Sequence, residues 1–323
     1  MSTEEPANVR QRTLGRPRWD GVPGRLEVWY ATITDPATGT GFWLHHEVVA
    51  TTRGEARALG WAAVFPPGEP ARVGRFGPER LAAPGTDERW FDGAGAEVAP
   101  GRLAGRAGGL RWELTHDDGG PPLHTFPTYV WDRQLLPSSQ VVPYPTSAFT
   151  GVVEDGDRVW RLDRAPGAVA RIYGHGNAQR WGWLHADLGD GDVLEVVAAS
   201  GRRPPLRWLP PKVFAQLRVT GRDWPDDPLA ATAASSARLG LPRWRARVTT
   251  PTRRLRLAVR LPPVASVTLE YRDPDGARAE CTNSCVADAE IRLERRDGVR
   301  WAVERHWSLR GTAHAEFGER PSV

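Results

Sequence analysis

Glycine and proline divide the chain into many short apolar segments, and this division constrains the fold more than any other feature. The 323 residues include 34 glycines and 29 prolines, spread over the whole length. The segments between them are rich in β-branched and aromatic residues, which is typical of strands joined by tight turns. Only the window DPLAATAASSARLG, 227–240, is compatible with a helix. The pattern predicts an all-β protein, a barrel or a sandwich.

The length predicts two domains, because single domains usually hold about 100–200 residues. The segment PTYVWDRQLLPSSQVVPYPTS, 127–147, carries four prolines and several small polar residues, as a junction between domains would. We therefore expect a disordered or loosely docked tail over 1–20, an N-terminal domain over 21–142 and a C-terminal domain over 143–323.

Charge and hydropathy exclude several classes of protein. The net charge is only +4, and nearly all cations are arginines that alternate with Asp and Glu along the chain. The clustered basic run of a nucleic-acid-binding protein is absent from the sequence, so no nucleic-acid partner is expected. No window approaches the ~20 apolar residues of a membrane span, and the polar N-terminus does not have the apolar core of a signal peptide. A cytoplasmic protein with two free thiols, Cys281 and Cys285, is expected.

Alternation along two regions sorts bulky aromatic and hydrogen-bonding side chains to one face of a strand. In the predicted hairpin RLEVWYATITDPATGTGFWLHHEVVA, 25–50, Trp43, His45 and Glu47 share a face. The stretch YGHGNAQRWGWLHA, 173–186, repeats the pattern in two strands. Such faces suit the wall of a cavity, where an apolar ligand needs large contact area and a few polar anchors. The second region contributes Tyr173, His175, Asn177, Trp181, Trp183 and His185.

Standard cofactor and metal motifs are missing from the sequence. The segment GAGAEVAPG, 93–101, lacks the helix that a phosphate-binding glycine loop requires, and no G-x-S-x-G nucleophile elbow occurs. His45 and His46 are adjacent on a strand and point to opposite faces, so they cannot share one ion. We expect neither a cofactor nor a metal.

The same residues resemble a known family, the attH-like, hydroxyneurosporene synthase (carotenoid 1,2-hydratase) and tocopherol cyclase group. The likeness lies in Tyr173, His175 and Asn177, in the Trp181-Gly182-Trp183 strand and in the hairpin LGDGDVLE that follows. The opening hairpin and the closing YRDPDGARAECTNSCVADAE and GTAHAEFGER resemble the first and last strands of the family. This resemblance implies two lipocalin-like antiparallel β-barrels packed side by side, with a ligand cavity and little helix.

The resemblance implies a cofactor-independent cyclase, isomerase or hydratase that acts on a hydrophobic polyene, terpenoid or polyketide. In this reading His175 donates a proton or a hydrogen bond, and Asn177 and Tyr173 orient a substrate oxygen. His175 stands where the family usually has a carboxylic acid, which favours a substrate that carries a carbonyl, enone or epoxide oxygen. The tryptophans serve equally well in a non-catalytic binder of lipids or carotenoids, or in a purely structural packing layer.

Overall fold

The computed structural model describes residues 7–204 and 206–321, and these ranges consist mainly of antiparallel strands. The strands form two sheets, so the all-β prediction is confirmed. The first sheet contains β1 (Arg25–Thr34), β2 (Gly41–Ala50), β3 (Ala56–Phe65), β4 (Arg72–Arg80), β5 (Phe91–Gly93), β6 (Ala96–Ala99), β7 (Arg102–Ala107), β8 (Leu110–His116), β9 (Ser138–Asp155) and β10 (Arg158–Gly174). The second contains β11 (Arg180–Gly189), β12 (Asp192–Ser200), β13 (Lys212–Val219), β14 (Arg222–Trp224), β15 (Ser235–Arg238), β16 (Arg243–Thr249), β17 (Arg253–Arg260), β18 (Val267–Arg272), β19 (Arg278–Asp297) and β20 (Arg300–Glu319).

Helices are short and few. They are α1 (Ala7–Gly15), α2 (Thr128–Asp132) and α3 (Pro228–Ala231), with 3₁₀ turns at Leu206–Trp208 and Thr232–Ala234. The helix-compatible window of the sequence holds only α3, one of these 3₁₀ turns and the short strand β15. Asp227 caps the single α-helical turn, and the 3₁₀ turn that follows it ends at Ser235. None of the helices in the described ranges has the length and apolar character needed to cross a membrane.

Each sheet coils on itself around its own apolar core. The first runs in the order β4-β3-β2-β1-β10-β9-β8-β7-β6-β5, and β4 returns to contact β7. Gly74 of β4 lies so close to the carbonyl of Ala107 in β7 that a side chain would not fit there. The second runs β14-β13-β12-β11-β20-β19-β17-β16-β15, with β18 paired to β19, and β13 comes back against β15. The arrangement fits the expected pair of lipocalin-like barrels.

The N-terminal segment that was expected to be a loose tail packs into the first barrel over its described part. Leu14 and Trp19 are buried in the same core as Trp29. The carboxylate of Glu27 accepts hydrogen bonds from the backbone amides of residues 18 and 19 at 2.7 and 3.0 Å. It is also ion-paired with the buried Arg171. The prediction of a loosely docked tail is therefore wrong for residues 7–20, while residues 1–6 lie outside the described part.

The chain passes from the first sheet to the second at residues 175–179, not at the expected boundary between 142 and 143. That boundary lies inside β9, which pairs with β10 in the first sheet. Pro143 and Pro145 look like strand breakers in the sequence, but they lie where the β9–β10 register shifts. At such bulges proline is tolerated, because no ladder hydrogen bond from its nitrogen is needed.

The two barrels pack against each other through a layer that belongs to neither core. Its apolar members come from both sheets, for example Trp43 and Trp61 from the first and Trp181 and Tyr271 from the second. We call this the inter-barrel layer; it also includes the neighbouring cluster that contains Tyr30 and Trp183. The backbones approach closely at Gly41 of β2, where an added side chain would collide with the backbone of Cys285 in β19.

Candidate active site

The three β2 residues predicted to share a face do so, and that face lies in the inter-barrel layer. Trp43, His45 and Glu47 are buried there, whereas Phe42 and Leu44 point into the core of the first barrel. The strand alternation thus gives the correct grouping. The face lies between the two barrels and not inside one of them, and alternation alone does not determine which side of a sheet becomes concave.

The same outcome holds in β11. Trp181, Trp183 and His185 are buried in the inter-barrel layer, while Leu184 and Ala186 belong to the core of the second barrel. The face of β11 with the smaller side chains therefore fills the barrel. The bulky face contacts the other half of the chain.

The other three candidate residues, Tyr173, His175 and Asn177, precede β11 and lie apart from the face of Trp181 and Trp183. His175 is exposed in the loop after β10, where its Nδ1 is 2.7 Å from Arg25 and 3.1 Å from the carbonyl of Gly24. Tyr173 is buried in the first barrel, with the guanidinium of Arg18 over its ring. The prediction that Tyr173 and His175 share an enclosed wall with the tryptophans is wrong, since β10 ends at Gly174 and the backbone takes a positive φ at Gly176 before β11 begins.

Asn177 holds the loop between the two sheets. Its side-chain Nδ2 and its backbone amide both donate to Oδ1 of Asp273, at 2.8 and 3.0 Å. Its carbonyl accepts a hydrogen bond from Arg320, which is also ion-paired with Asp273. These contacts occupy the side-chain Nδ2, the backbone amide and the backbone carbonyl of Asn177.

The centre of the inter-barrel layer is a stack of aromatic rings drawn from both barrels. The imidazole of His45 lies on the indole of Trp61 with centroids 4.2 Å apart, and Tyr271 stacks on the other rings at 5.1 Å from Trp61 and 5.8 Å from His45. Trp181 continues the series at 6.3 Å from Tyr271. We call these four rings the aromatic stack. Their faces present negative π-density, which attracts cations.

Two buried carboxyl groups flank the aromatic stack. Burial, reinforced by the charge of Asp273, raises the pKa of Glu47 to about 8, and its Oε2 lies 3.2 Å from Nε2 of His45. Burial lowers the pKa of His45 to about 3, so its imidazole is neutral near pH 7. Glu47 is therefore largely a protonated carboxylic acid at neutral pH.

The second carboxyl group, Glu316 of β20, was not selected from the sequence. One oxygen accepts a hydrogen bond from Nε1 of Trp181 at 2.7 Å, and the other is 3.4 Å from both Sγ of Cys281 and Nδ2 of Asn283. Burial raises the pKa of Glu316 above its usual value. The only sequence signal is its alternation with His314 between small residues in GTAHAEFGE, a segment that was read as a closing strand.

Glu195 of β12 forms a second polar centre in the layer, also missed from the sequence. It accepts hydrogen bonds from Nε1 of Trp183 at 2.5 Å and from Gln140, which in turn donates to the hydroxyl of Tyr30 at 2.7 Å. Its other oxygen lies 2.8 Å from Nδ1 of His185. The hairpin register places Glu195 directly opposite His185, so the pair could have been found by aligning β11 with β12.

His185 has a free nitrogen within this centre. Its Nε2 is buried and has no hydrogen-bond partner among the described residues. A neutral imidazole that donates from Nδ1 to Glu195 leaves Nε2 as an acceptor, the arrangement of a carboxylate-oriented general base. The ring of His314 stacks on it at 5.8 Å, and Nδ1 of His314 also lacks a partner within the described ranges. Two free imidazole nitrogens thus lie close together in the layer.

No three His, Cys, Asp or Glu side chains converge as metal ligands anywhere in residues 7–204 and 206–321. Both cysteines are buried and unpaired, and burial raises the pKa of each thiol well above its usual value. The chemistry that the layer offers is therefore that of carboxyl, imidazole, phenol and indole groups.

Comparison with known proteins identifies the family of the chain. The model of the tocopherol cyclase-like family matches residues 120–319, most of the chain, so the protein belongs to that family. An uncharacterised protein of Mycobacterium tuberculosis, found in two strains, is 47% identical over 99% of this chain and 95% of its own length.

Solved structures of similar fold include an AttH-type protein from Nitrosomonas europaea, with a TM-score of 0.56 at 13% identity over 91% of this chain and 92% of that one. The structure of CghA with Sch210972 has a TM-score of 0.53 at 16% identity, over 92% of this chain and 89% of that one. Kievitone hydratase from Nectria haematococca has a TM-score of 0.54 at 10% identity, over 96% of this chain and 92% of that one. These likenesses show a shared fold.

Proposed function

We propose that the protein is an acid–base hydratase or cyclase whose substrate, an unsaturated hydrophobic molecule, binds in the inter-barrel layer. The observation that carries the proposal is the position of two buried carboxyl groups with raised pKa, Glu47 and Glu316, on either side of the aromatic stack. Protonating an isolated or conjugated double bond requires a strong enough acid that stays protonated near pH 7. A buried carboxylic acid meets this requirement.

The rings beside these acids suit the cation that such a protonation creates. Indole and phenol faces stabilise a nearby positive charge by about 0.5–2 kcal/mol each. Trp181 donates a hydrogen bond to Glu316 and stacks on Tyr271. The acid therefore lies directly beside the ring faces that would stabilise the cation. The substrate carbon that accepts the proton would lie against these rings.

The Glu195–His185 pair supplies the complementary base. Nε2 of His185 would accept a proton either from a water molecule that adds to the cation, which gives hydration, or from a neighbouring carbon, which gives a new double bond after cyclisation. Carboxylate–imidazole pairs of this geometry commonly contribute about 10²–10⁴-fold to proton-transfer steps. The role of proton donor predicted for His175 moves in this proposal to the buried acids, because His175 is exposed.

The mouth of the site is a groove of about 340 Å³ at the edge of the second barrel, lined by Gln179, Ser200 and Trp208 among others. The preceding residues Ala178 and Ala199 pack against the cluster that contains the aromatic stack. Trp208 and Leu209, 69% and 50% exposed, together form an apolar patch in this groove that would suit an apolar molecule. Trp208→Ala is expected to raise KM more than it lowers kcat.

The test is turnover of a panel of polyenes, terpenoids and polyketide enones, followed by mass spectrometry in light and heavy water. A gain of one water identifies hydration, and an isomer with solvent deuterium on carbon identifies protonation-driven cyclisation. Glu316→Gln is expected to lower kcat by at least about 100-fold, as loss of a general acid does. Glu280→Gln, an exposed acid on the neighbouring strand, and His175→Ala are the matched controls and should turn over like the wild type.

If Glu47→Gln and Glu316→Gln both retain full activity, the layer is not the acid–base site. If the wild-type protein binds panel compounds but leaves them chemically unchanged, the protein is a non-catalytic binder. That is the alternative interpretation of the tryptophans given in the sequence analysis.

A further inference from the structure

A second concave surface lies on the outside of the second barrel. It is a groove of about 750 Å³ that crosses β15, β16, β17 and β19, and none of its lining residues belongs to the inter-barrel layer. Its charged side chains are five arginines and one glutamate, all partly or fully exposed: Arg238, Arg245, Arg247, Arg256, Arg292 and Glu290.

The strand register places these arginines directly opposite one another. Arg247 of β16 faces Arg256 of β17, which faces Arg292 of β19. Arg238 of β15 faces Arg245 of β16 in the same way. Neighbouring strands are about 4.8 Å apart, and like charges directly opposite on one face of a sheet are destabilising. The pairing of the strands therefore holds these arginines close together despite the mutual repulsion of their charges.

Arginines just outside the groove are neutralised by acids. Arg253 binds Glu304 with two hydrogen bonds, and Arg260 is 3.1 Å from Asp288. Within the groove, by contrast, the only carboxylate within 4.0 Å of these guanidinium groups, among the described residues, is Glu294, at 3.9 Å from Arg256. The lining Glu290 is engaged on its far side by His306, Ser308 and Arg310. A general surface of solvated charge would mix both signs, as the flanking strands do.

We propose that this groove binds a compact anion that carries two or more phosphate groups. Guanidinium groups match phosphate oxygens in planar, bidentate pairs, and several on one face favour a ligand with several such groups. Ser236 and Ala258, which are small, line the groove between the arginines and leave room for the anion.

The shape and boundaries of the groove favour a small ligand. The positive row spans only the width of four strands, about 15 Å, and ends where Glu290 and Glu294 begin. A flat membrane does not fit a concave surface, and a long nucleic acid would extend past the row onto the acids. The volume lies in the usual range for small-molecule sites.

The test uses inorganic tripolyphosphate as the probe, with the full-length protein and isothermal titration calorimetry at low salt. We expect saturable binding to the wild type and at least about tenfold weaker binding to Arg247→Ala/Arg292→Ala, since two bidentate pairs are lost. Arg247→Lys/Arg292→Lys, which keeps the charge and removes the fork, should fall between them. The control is Arg75→Ala/Arg111→Ala, two exposed strand arginines of the first barrel, which should bind like the wild type.

Equal binding to the groove variant and to the control variant would overturn the proposal. So would tight, Arg247-dependent binding of single-stranded RNA or of anionic phospholipid vesicles that tripolyphosphate does not displace. This result is independent of turnover at the inter-barrel layer, so either proposal can fail alone.

Discussion

The buried acid Glu47 makes a quantitative prediction about stability and pH. Its pKa rises from an ordinary value of 4.5 to about 8, mainly because of burial. The folded protein therefore holds this proton over an interval in which the unfolded chain has lost it, and stability falls as pH rises through that interval. Each pKa unit is worth about 1.4 kcal/mol, so ionisation of Glu47 in the unfolded chain lowers the free energy of unfolding by up to about 5 kcal/mol by pH 8.

Glu47→Gln keeps the shape and removes the proton equilibrium. We expect the free energy of unfolding, measured by urea titration from about pH 4 to about pH 9, to fall more steeply with pH in the wild type than in the variant, because of this linkage. The advantage of the variant should grow by about 3 kcal/mol between pH 4.5 and pH 7 and level off above about pH 8. His45 does not titrate in this range, since its pKa is lowered to about 3.

The control is Glu79→Gln, an exposed acid on β4, whose curve should run parallel to that of the wild type. Parallel curves for Glu47→Gln and the wild type would show that Glu47 ionises in the folded protein as it does in water. The acid proposed beside the aromatic stack would then be a carboxylate at neutral pH, unable to protonate a double bond.

Three further perturbations test other parts of the layer. Glu195→Ala leaves its three buried donors without an acceptor and should destabilise the protein by at least about 3 kcal/mol in urea titration, at 1–3 kcal/mol per orphaned group; a loss below about 1 kcal/mol would mean that water replaces the carboxylate. Cys281 and Cys285 should resist a thiol reagent in the folded protein and react in denaturant, because burial raises the pKa of both thiols; fast labelling without denaturant would contradict their burial. Gly41→Val should push the barrels apart where β2 touches Cys285, cost about 1–3 kcal/mol and speed proteolysis at 175–179; wild-type resistance would show that this contact is dispensable.

The sequence determined the strands more fully than their arrangement. Alternation at Trp43, His45 and Glu47, and again at Trp181 and Trp183, identified residues that do share one buried surface. Alternation could not tell the inside of a barrel from its outside, because both faces of these strands are buried, one by the core and one by the other barrel.

The remaining differences have local causes. His175 was grouped with the tryptophans by counting along the chain, but β10 ends at Gly174, and His175 lies exposed in the loop that follows. Glu195 and Glu316 escaped notice because their partners are distant in sequence or become neighbours only through strand register. The domain boundary was misplaced because prolines at a bulge look the same in sequence as prolines in a linker.

The walls of the inter-barrel layer have separate origins along the chain, and this limits how the protein can vary. Glu47 and Trp61 are supplied before residue 175, whereas Trp181, Glu195 and Glu316 come after it. A half-chain expressed alone would display its share of the layer to solvent as an aromatic, carboxyl-bearing patch prone to aggregation. If one half were exchanged for the corresponding half of a relative, the two surfaces of the layer would no longer fit each other. Changes in ligand preference should therefore arise as matched substitutions in both halves.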